Sequence, residues 1–464
     1  MRPQPRPRLN PFVLPSATAT QFVLLVTAVV GGSMFIYNYL LVLVPSRYGR
    51  AVEDCLADAT AGIGAGVDGH TIVTSYEACW RAISRTNGLL VLAGFAGLLL
   101  VAALLYLAHP VTYRVLHRLS PPEPNAGAQL SERVRALAAQ AGLARPPRIL
   151  IRPVWTVDAY SFGLRRKTVV LNRGLLRKPA VLDAYLRHEL GHLRNGDIGL
   201  TQFVLAAWRA FVLAAIVPFV VGQAADPSSF TVRVLVNMGI VLAAIYLGTL
   251  SVLRLREHYA DVRATTSDGA DGAFGSLVAR AQGGSGWLER LRWRRRRHPT
   301  AADRRTVVTE PDRLLRLGVL PMVVAGLSLG IGARSFPQLL TDLLIGISAD
   351  LNSLVTAGFR LAIGALVAGA VGTACWRAAV TSVVHRTRLP GALLPGGALA
   401  AGILVGTSIN DLQTGSWWAQ VTTSPAAGLI SAAFLLVICV FFLQWSIASG
   451  ALWLEVTPTA AWRR

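Results

Sequence analysis

The sequence predicts a mainly α-helical, polytopic membrane protein of about eight transmembrane helices that carries a split cytoplasmic α+β domain. Three observations predict this: an apolar composition, eight stretches of about span length, and long basic segments between some of them. Of 464 residues, 53% are hydrophobic and 15% charged, with a mean hydropathy of +0.49. That lies well above the usual range for a soluble domain of this size.

Crossing the hydrocarbon core as a helix takes about 20 apolar residues. Suitable stretches fall at roughly 20–44, 88–108, 200–222, 231–253, 315–333, 354–376, 391–409 and 425–447. Pro321 and several glycines interrupt the fifth. The first follows Arg2, Arg6 and Arg8 in the manner of a secretory signal. It is too long for a signal core and lacks a small-residue cleavage site, so it reads as an uncleaved span.

Charge sets the expected orientation. The net charge of +21 comes mostly from arginines in segments 109–199, 254–314, 377–390 and the tail ending Arg463 and Arg464, including the run Arg292 and Arg294 to Arg297. Loops 45–87, 223–230 and 410–424 are mixed, acidic or nearly uncharged. The positive-inside rule then puts the N-terminus and the basic segments in the cytoplasm of a multi-pass cell-membrane protein. No nucleic-acid motif accompanies the charge, so the bilayer is the expected partner and nucleic acid is not. The arginine run reads as a solvated or headgroup-facing surface.

The resulting organisation is a pair of spans with an outside loop over 1–108, a first cytoplasmic part over 109–199, a hairpin of spans over 200–253, a second cytoplasmic part over 254–314, and about four further spans over 315–464. One hairpin separates the two cytoplasmic parts, so they fold together as one domain. Within the first, Gln129 to Ala141 has helical spacing, Arg148–Arg152 and Thr168–Leu171 read as short strands about a turn at Gly163, and Leu182 to Leu193 is helical again until Gly196. Pro122, Pro124 and Gly127 mark a linker. Cys55 and Cys79 fall in the outside loop, where a disulfide can form. Cys375 and Cys439 lie in apolar spans as buried thiols. Arg209, inside the third span, is costly in lipid and should face protein or water, or reach back to the surface.

The chemistry centres on His188, Glu189, Leu190, Gly191 and His192. Residues four apart share a helix face, so both imidazoles can hold one metal ion. Glu189 is turned about 100° from His188, placed to act on a water without ligating the metal. At this composition roughly 0.007 such patterns arise by chance. A catalytic zinc site needs a third protein ligand and an open position. Glu257 suits that place, just beyond the fourth span, with His258 as competitor. Asp261, four residues on, can accept a hydrogen bond from a liganding histidine and fix its tautomer. One Zn²⁺ ion is the expected cofactor, and the expected activity is that of a zinc metalloendopeptidase, with Glu189 as general base.

The sequence resembles the HtpX-type integral-membrane metallopeptidases, a group that includes the type I CAAX prenyl endopeptidases. The likeness rests on His188 to His192 followed by Arg194-Asn195-Gly196-Asp197, on Glu257 to Asp261 in the form Glu-x-x-Ala-Asp, on His298-Pro299 with Arg304, and on Asp158-Ala159 with Gly163 before Gly174-Leu175-Leu176. It covers roughly 150–310. The resemblance implies that His298 and Arg304 lie near the zinc and steady the substrate carbonyl or oxyanion. It also implies that segment 158–163 is an edge strand on which Asp158, Ala159, Tyr160 and Ser161 align a polypeptide substrate as an added strand. Asp158 stands where the family usually has asparagine. The sequence names neither the substrate nor an oligomeric state, and it offers no family for the spans after 314. The competing class is a non-catalytic zinc-containing membrane receptor or scaffold. Such a site would close its fourth position and would have no use for Glu189.

Overall fold

A computed structural model describes residues 10–43, 48–64, 68–225, 232–268, 272–280, 298–345, 349–409 and 417–456. The arginine run at 292–297, the first arginines and the final pair lie outside the described residues. Each of the eight apolar stretches is helical over most of its described residues. Seven helical stretches, Ala17–Leu41, Gly69–Leu116, Asp197–Ala225, Val232–Thr266, Pro311–Leu344, Asp350–His385 and Pro425–Val456, are long and apolar enough to cross a membrane. The seventh expected span is the exception. Leu393–Ile409 is helical but has 17 residues, about 26 Å of helix against a core of about 30 Å.

The bundle begins with α1 (Ala17–Leu43). The expected outside loop is largely helical: α2 (Tyr48–Gly64) packs on the first turns of α3 (Gly69–Leu116), and a disulfide joins Cys55 to Cys79 across them. Asp68 starts α3 by accepting the Thr71 amide at 2.9 Å, the usual cap for an orphan donor. The third span is α7 (Asp197–Phe211), a π turn at Val212–Ile216, and α8 (Val217–Ala225). Arg209 lies exposed on α7, so it is not buried in the bundle. The fourth is α9 (Val232–Asp268), whose 37 residues outrun any bilayer.

After α9 come α10 (Ala273–Arg280), α11 (Ala301–Thr309) and a 3-10 turn (Pro311–Leu315). The last part consists of α12 (Val319–Leu344), α13 (Ala349–His385), α14 (Leu393–Ile409), the short α15 (Trp417–Thr423) and α16 (Pro425–Val456). Pro321 falls in the first turn of α12, where no intrahelical N–H is lost, so it does not break the fifth span. α12 and α14 touch through glycines. A Cβ on Gly326 would sit 2.2 Å from the Leu399 carbonyl, and one on Gly402 would sit 2.4 Å from that of Val323. Such close backbone approach replaces the hydrophobic drive that lipid does not supply.

The α/β part lies between α3 and α7. α4 (Pro124–Gln140) and α6 (Pro179–Asn195), with the short α5 (Arg173–Leu176), flank a sheet of β1 (Arg148–Arg152), β2 (Ala159–Phe162) and β3 (Thr168–Asn172) in the order β1-β3-β2. β3 pairs parallel with β1 and antiparallel with β2. Val169, Val170 and Leu171 are fully buried, as a central strand covered on both faces requires. Gly163, at φ +114°, lets the β2-β3 connection turn, and a Cβ there would meet the Arg166 carbonyl at 2.2 Å. Val134, Leu137, Val169, Leu171, Leu186 and Leu190 form the core between the sheet and its helices.

Candidate metal centre

α6 opens with Pro179 in its first turn and ends where Gly196 turns left-handed at φ 76°. Leu186, Leu190 and Leu193 bury one side in the sheet's core. That side fixes the helix rotation, and the next face, carrying His188 and His192, turns toward α9. The two helices approach closely at Gly191, where a Cβ would lie 3.0 Å from the Ala260 carbonyl and 3.4 Å from the Arg263 Cβ. Glycine there brings the ligands of α6 and α9 within reach of each other.

One ligand atom from each of His188, His192 and Glu257 lies within 4.8 Å of the other two, and all three residues are buried. His188 Nε2 is 3.5 Å from Glu257 Oε2, and His192 Nε2 is 3.4 Å from Oε1. On the other side of each ring waits a carboxylate. His188 Nδ1 lies 2.9 Å from Asp261 Oδ1, and His192 Nδ1 lies 3.5 Å from Asp197 Oδ2. Carboxylates there favour the Nδ1–H tautomer and leave both Nε2 atoms as donors. Two imidazoles and one carboxylate are the donor set of a catalytic zinc, so the residues present fit the ion. His258 is not among the clustered donors.

Burial alone would push the His188 imidazole down. Its contacts with Asp261 and Glu257 outweigh burial and raise it to about 9 in the metal-free chain. His192 shifts up as well: burial and Arg256 oppose the proton, and Glu257 and Asp197 prevail. Burial, with the Glu189 charge adding to it, raises the Asp158 carboxyl.

A cleft of about 500 Å³ opens over these residues. Asp158, Ala159, Tyr160 and Ser161 form one wall, Glu189 and the two histidines the floor, and Phe274, Leu277 and Val278 an apolar wall. Residues 124–306 match the model of peptidase family M48. That stretch is similar to an M48 peptidase domain. Among similar proteins are an HtpX protease homologue of Thermoplasma acidophilum, 28% identical over 194 residues, and the HtpX protease of Pseudomonas putida, 26% identical over 171 residues. These alignments cover 40% of this chain and 60% of the first relative, and 34% and 58% for the second. The chain thus spans about three fifths of the length of the relatives it matches. No solved structure matches it.

The stretch matched to M48, called the M48 domain for short, runs from the first residue of α4 into α11, so it holds every residue of the cleft and leaves α12 to α16 outside. His298 and Arg304 both line the cleft, each paired with a carboxylate of the site, and Arg304 also lies over the Phe274 ring. His298 Nδ1 is 3.0 Å from Glu257 Oε2. Arg304 grips Asp261 with two hydrogen bonds, Nε to Oδ2 at 2.8 Å and Nη2 to Oδ1 at 2.6 Å. This pairing raises the Arg304 pKa despite burial. α11 holds Arg304 in place through a capping box in which Thr300 and Asp303 bond each other's backbone amides.

Three residues of the M48 domain carry parts that the sequence reading does not assign. Arg256 donates to Glu257 Oε1 from Nη2 at 2.7 Å and also reaches Thr201. Phe274 stacks on His188 with ring centroids 5.6 Å apart. Asp197 reaches His192 because Gly196 ends the helix between them. A signal for Asp197 was present in the turn Asn195-Gly196-Asp197. Arg256 and Phe274 leave none, because only the packing of α9 and α10 on α6 reveals them.

Proposed function

We propose that this chain is a membrane-embedded zinc endopeptidase that hydrolyses peptide bonds in membrane-associated or misfolded polypeptides at the cytoplasmic face. The observation that carries this reading is the placement of Glu189. It projects into the same cleft as His188, His192 and Glu257, opposite an edge strand suited to hold an extended chain. A zinc ion held by His188, His192 and Glu257 would polarise the scissile carbonyl and acidify a water. Glu189 would take the proton of the attacking water and deliver it to the leaving amine. His298, one bond away from Glu257, and Arg304 would face the charge that grows on the carbonyl oxygen, and Asp158 to Ser161 would align the substrate backbone.

Orientation follows from charge. The arginine-rich segments on either side of the α7–α9 hairpin belong inside by the positive-inside rule, and with them the N-terminus and the M48 domain. A site at the mouths of two spans suits substrates that emerge from the bilayer or lie on it. Substitution Glu189→Gln tests the reading. The variant should bind zinc like the parent and fail to cleave an unfolded membrane protein; cleavage at the parental rate would overturn the mechanism.

A further inference from the structure

The M48 match ends at residue 306, yet α13, beyond it, bonds at two points to segments that adjoin the helices of the site. The first is Arg377 on α13, 5% exposed. Its Nη1 donates to the Pro15 carbonyl at 3.2 Å, in the segment that Tyr259 also holds. Tyr259, 4% exposed, lies on α9 midway between Glu257 and Asp261. Its hydroxyl accepts the Ala17 amide at 3.4 Å, and its ring packs edge-on against Phe12. The second point is the end of α13, where His385 Nε2 meets Asp312 Oδ2 at 2.6 Å. Asp312 stands in the 3-10 turn directly after α11, the helix of Arg304.

Residues two apart on a helix point about 200° from each other. Glu257 and Asp261 therefore share the face toward His188, and Tyr259 takes the opposite face, toward Phe12 and Ala17 at the start of α1. A hold on Tyr259 sets how far that turn of α9 is rotated, and with it the angle at which Glu257 and Asp261 meet the histidines.

We propose that Arg377 is a positioning residue for the metal centre: by holding the segment Pro15–Ala17 on which Tyr259 rests, the spans outside the matched segment fix the turn of α9 that presents Glu257 and Asp261. This rests on reading His188, His192 and Glu257 as metal ligands. The test uses the full chain in lipid nanodiscs, stripped of metal. Zinc affinity is measured by chelator competition, and site geometry by the visible spectrum of the cobalt-loaded protein. Arg377→Ala and Tyr259→Phe should weaken zinc binding by roughly tenfold, the low end for a residue that orients a ligand, and both should alter the cobalt spectrum. Arg377→Lys should recover most of the affinity. Tyr259→Phe removes a single oxygen and keeps the test open where Arg377→Ala does not fold.

Asn237→Leu is the control. It removes the hydrogen bond from Asn237 Nδ2 to the Ile409 carbonyl at 3.0 Å, a tie between α9 and α14 some five turns from the metal centre. It should leave zinc affinity and the cobalt spectrum unchanged. Parental affinity and spectrum in both Arg377→Ala and Tyr259→Phe would overturn the proposal, as would an equal loss in Asn237→Leu. A parental chain that binds no zinc would instead overturn the metal reading, and this proposal with it.

Discussion

His188 Nδ1 stands 2.9 Å from Asp261 Oδ1, and both carboxylate oxygens of Asp261 are taken by Arg304. Asp261 is fully buried, so this pair orients the imidazole without help from solvent. The chain Arg304, Asp261, His188 thus fixes the direction of one proposed metal donor from three helices, α11, α9 and α6.

The chain predicts the effect of Asp261→Ala. The imidazole loses its orienting carboxylate and Arg304 loses its partner in the same step. Zinc affinity should fall about 10- to 100-fold, and the metal-free protein should melt at a lower temperature because a half-buried cation is left unpaired. Chelator competition and thermal unfolding check this. Unchanged affinity would mean that Asp261 serves only to anchor α11.

Gly191 makes a sharper case because a side chain added there would meet no proposed ligand. In Gly191→Ala the new Cβ would sit 3.0 Å from a backbone carbonyl of α9, which cannot swing aside as a side chain can. The helices must part by a few tenths of an ångström. Misplacement of about 1 Å costs roughly 100-fold in rate, so a loss of about tenfold in kcat is expected with the protein still folded. Gly191→Val should be worse. Parental activity in the alanine variant would show that the helix separation has slack.

How much of this was legible in the sequence depends on whether the information is local. The apolar stretches were readable because lipid demands length and continuity of every span. His188 and His192 were readable because one helical turn puts them on one face, and Glu257 and Asp261 by the same spacing. The helices of the 45–87 loop were hidden by looking only for apolar runs, although Asp68 before Thr71 is a cap signal. The partners of His298 and Arg304 were not readable at all, since both carboxylates lie on α9, some 40 residues away along the chain. Leu393–Ile409 reads as a span on composition, and its described helix of 17 residues stands at the lower limit of length for crossing.

Metal binding should depend on pH in a direction set by His188. In the metal-free chain its pKa is about 9, above the value of about 6.5 for an unfolded chain. A raised pKa stabilises the fold fully below about 6.5, and that contribution is lost as pH rises through 9. Zinc requires the neutral imidazole, so binding must expel this proton. Affinity should rise by at least about tenfold per pH unit between pH 7 and 9, since His192, also shifted up, must lose its proton too, and then level. Chelator competition at several pH values measures the slope, and a flat profile from pH 7 to 9 would sink the prediction.

The edge strand allows a test that spares the metal. The Asn172 amide bonds the Asp158 carbonyl at 3.1 Å, so Asp158 and Asn172 form a hydrogen-bonded pair. By the alternation of an antiparallel ladder, so do Tyr160 with Val170 and Phe162 with Thr168. Ala159 and Ser161 then turn their backbone groups to the open side of β2, toward the cleft. The Ala159 amide is already held by Asp158 Oδ1 at 3.0 Å, which leaves the Ser161 amide as the donor for an added strand. Ser161→Pro should delete that donor without breaking the ladder to β3. A drop of about tenfold or more in kcat/KM on a protein substrate is expected, at parental zinc content, while Ser161→Ala should keep parental kcat/KM because the backbone does the binding. Equal activity of the proline variant would show that substrate does not pair with β2, and the cleft would then hold its substrate by side chains alone.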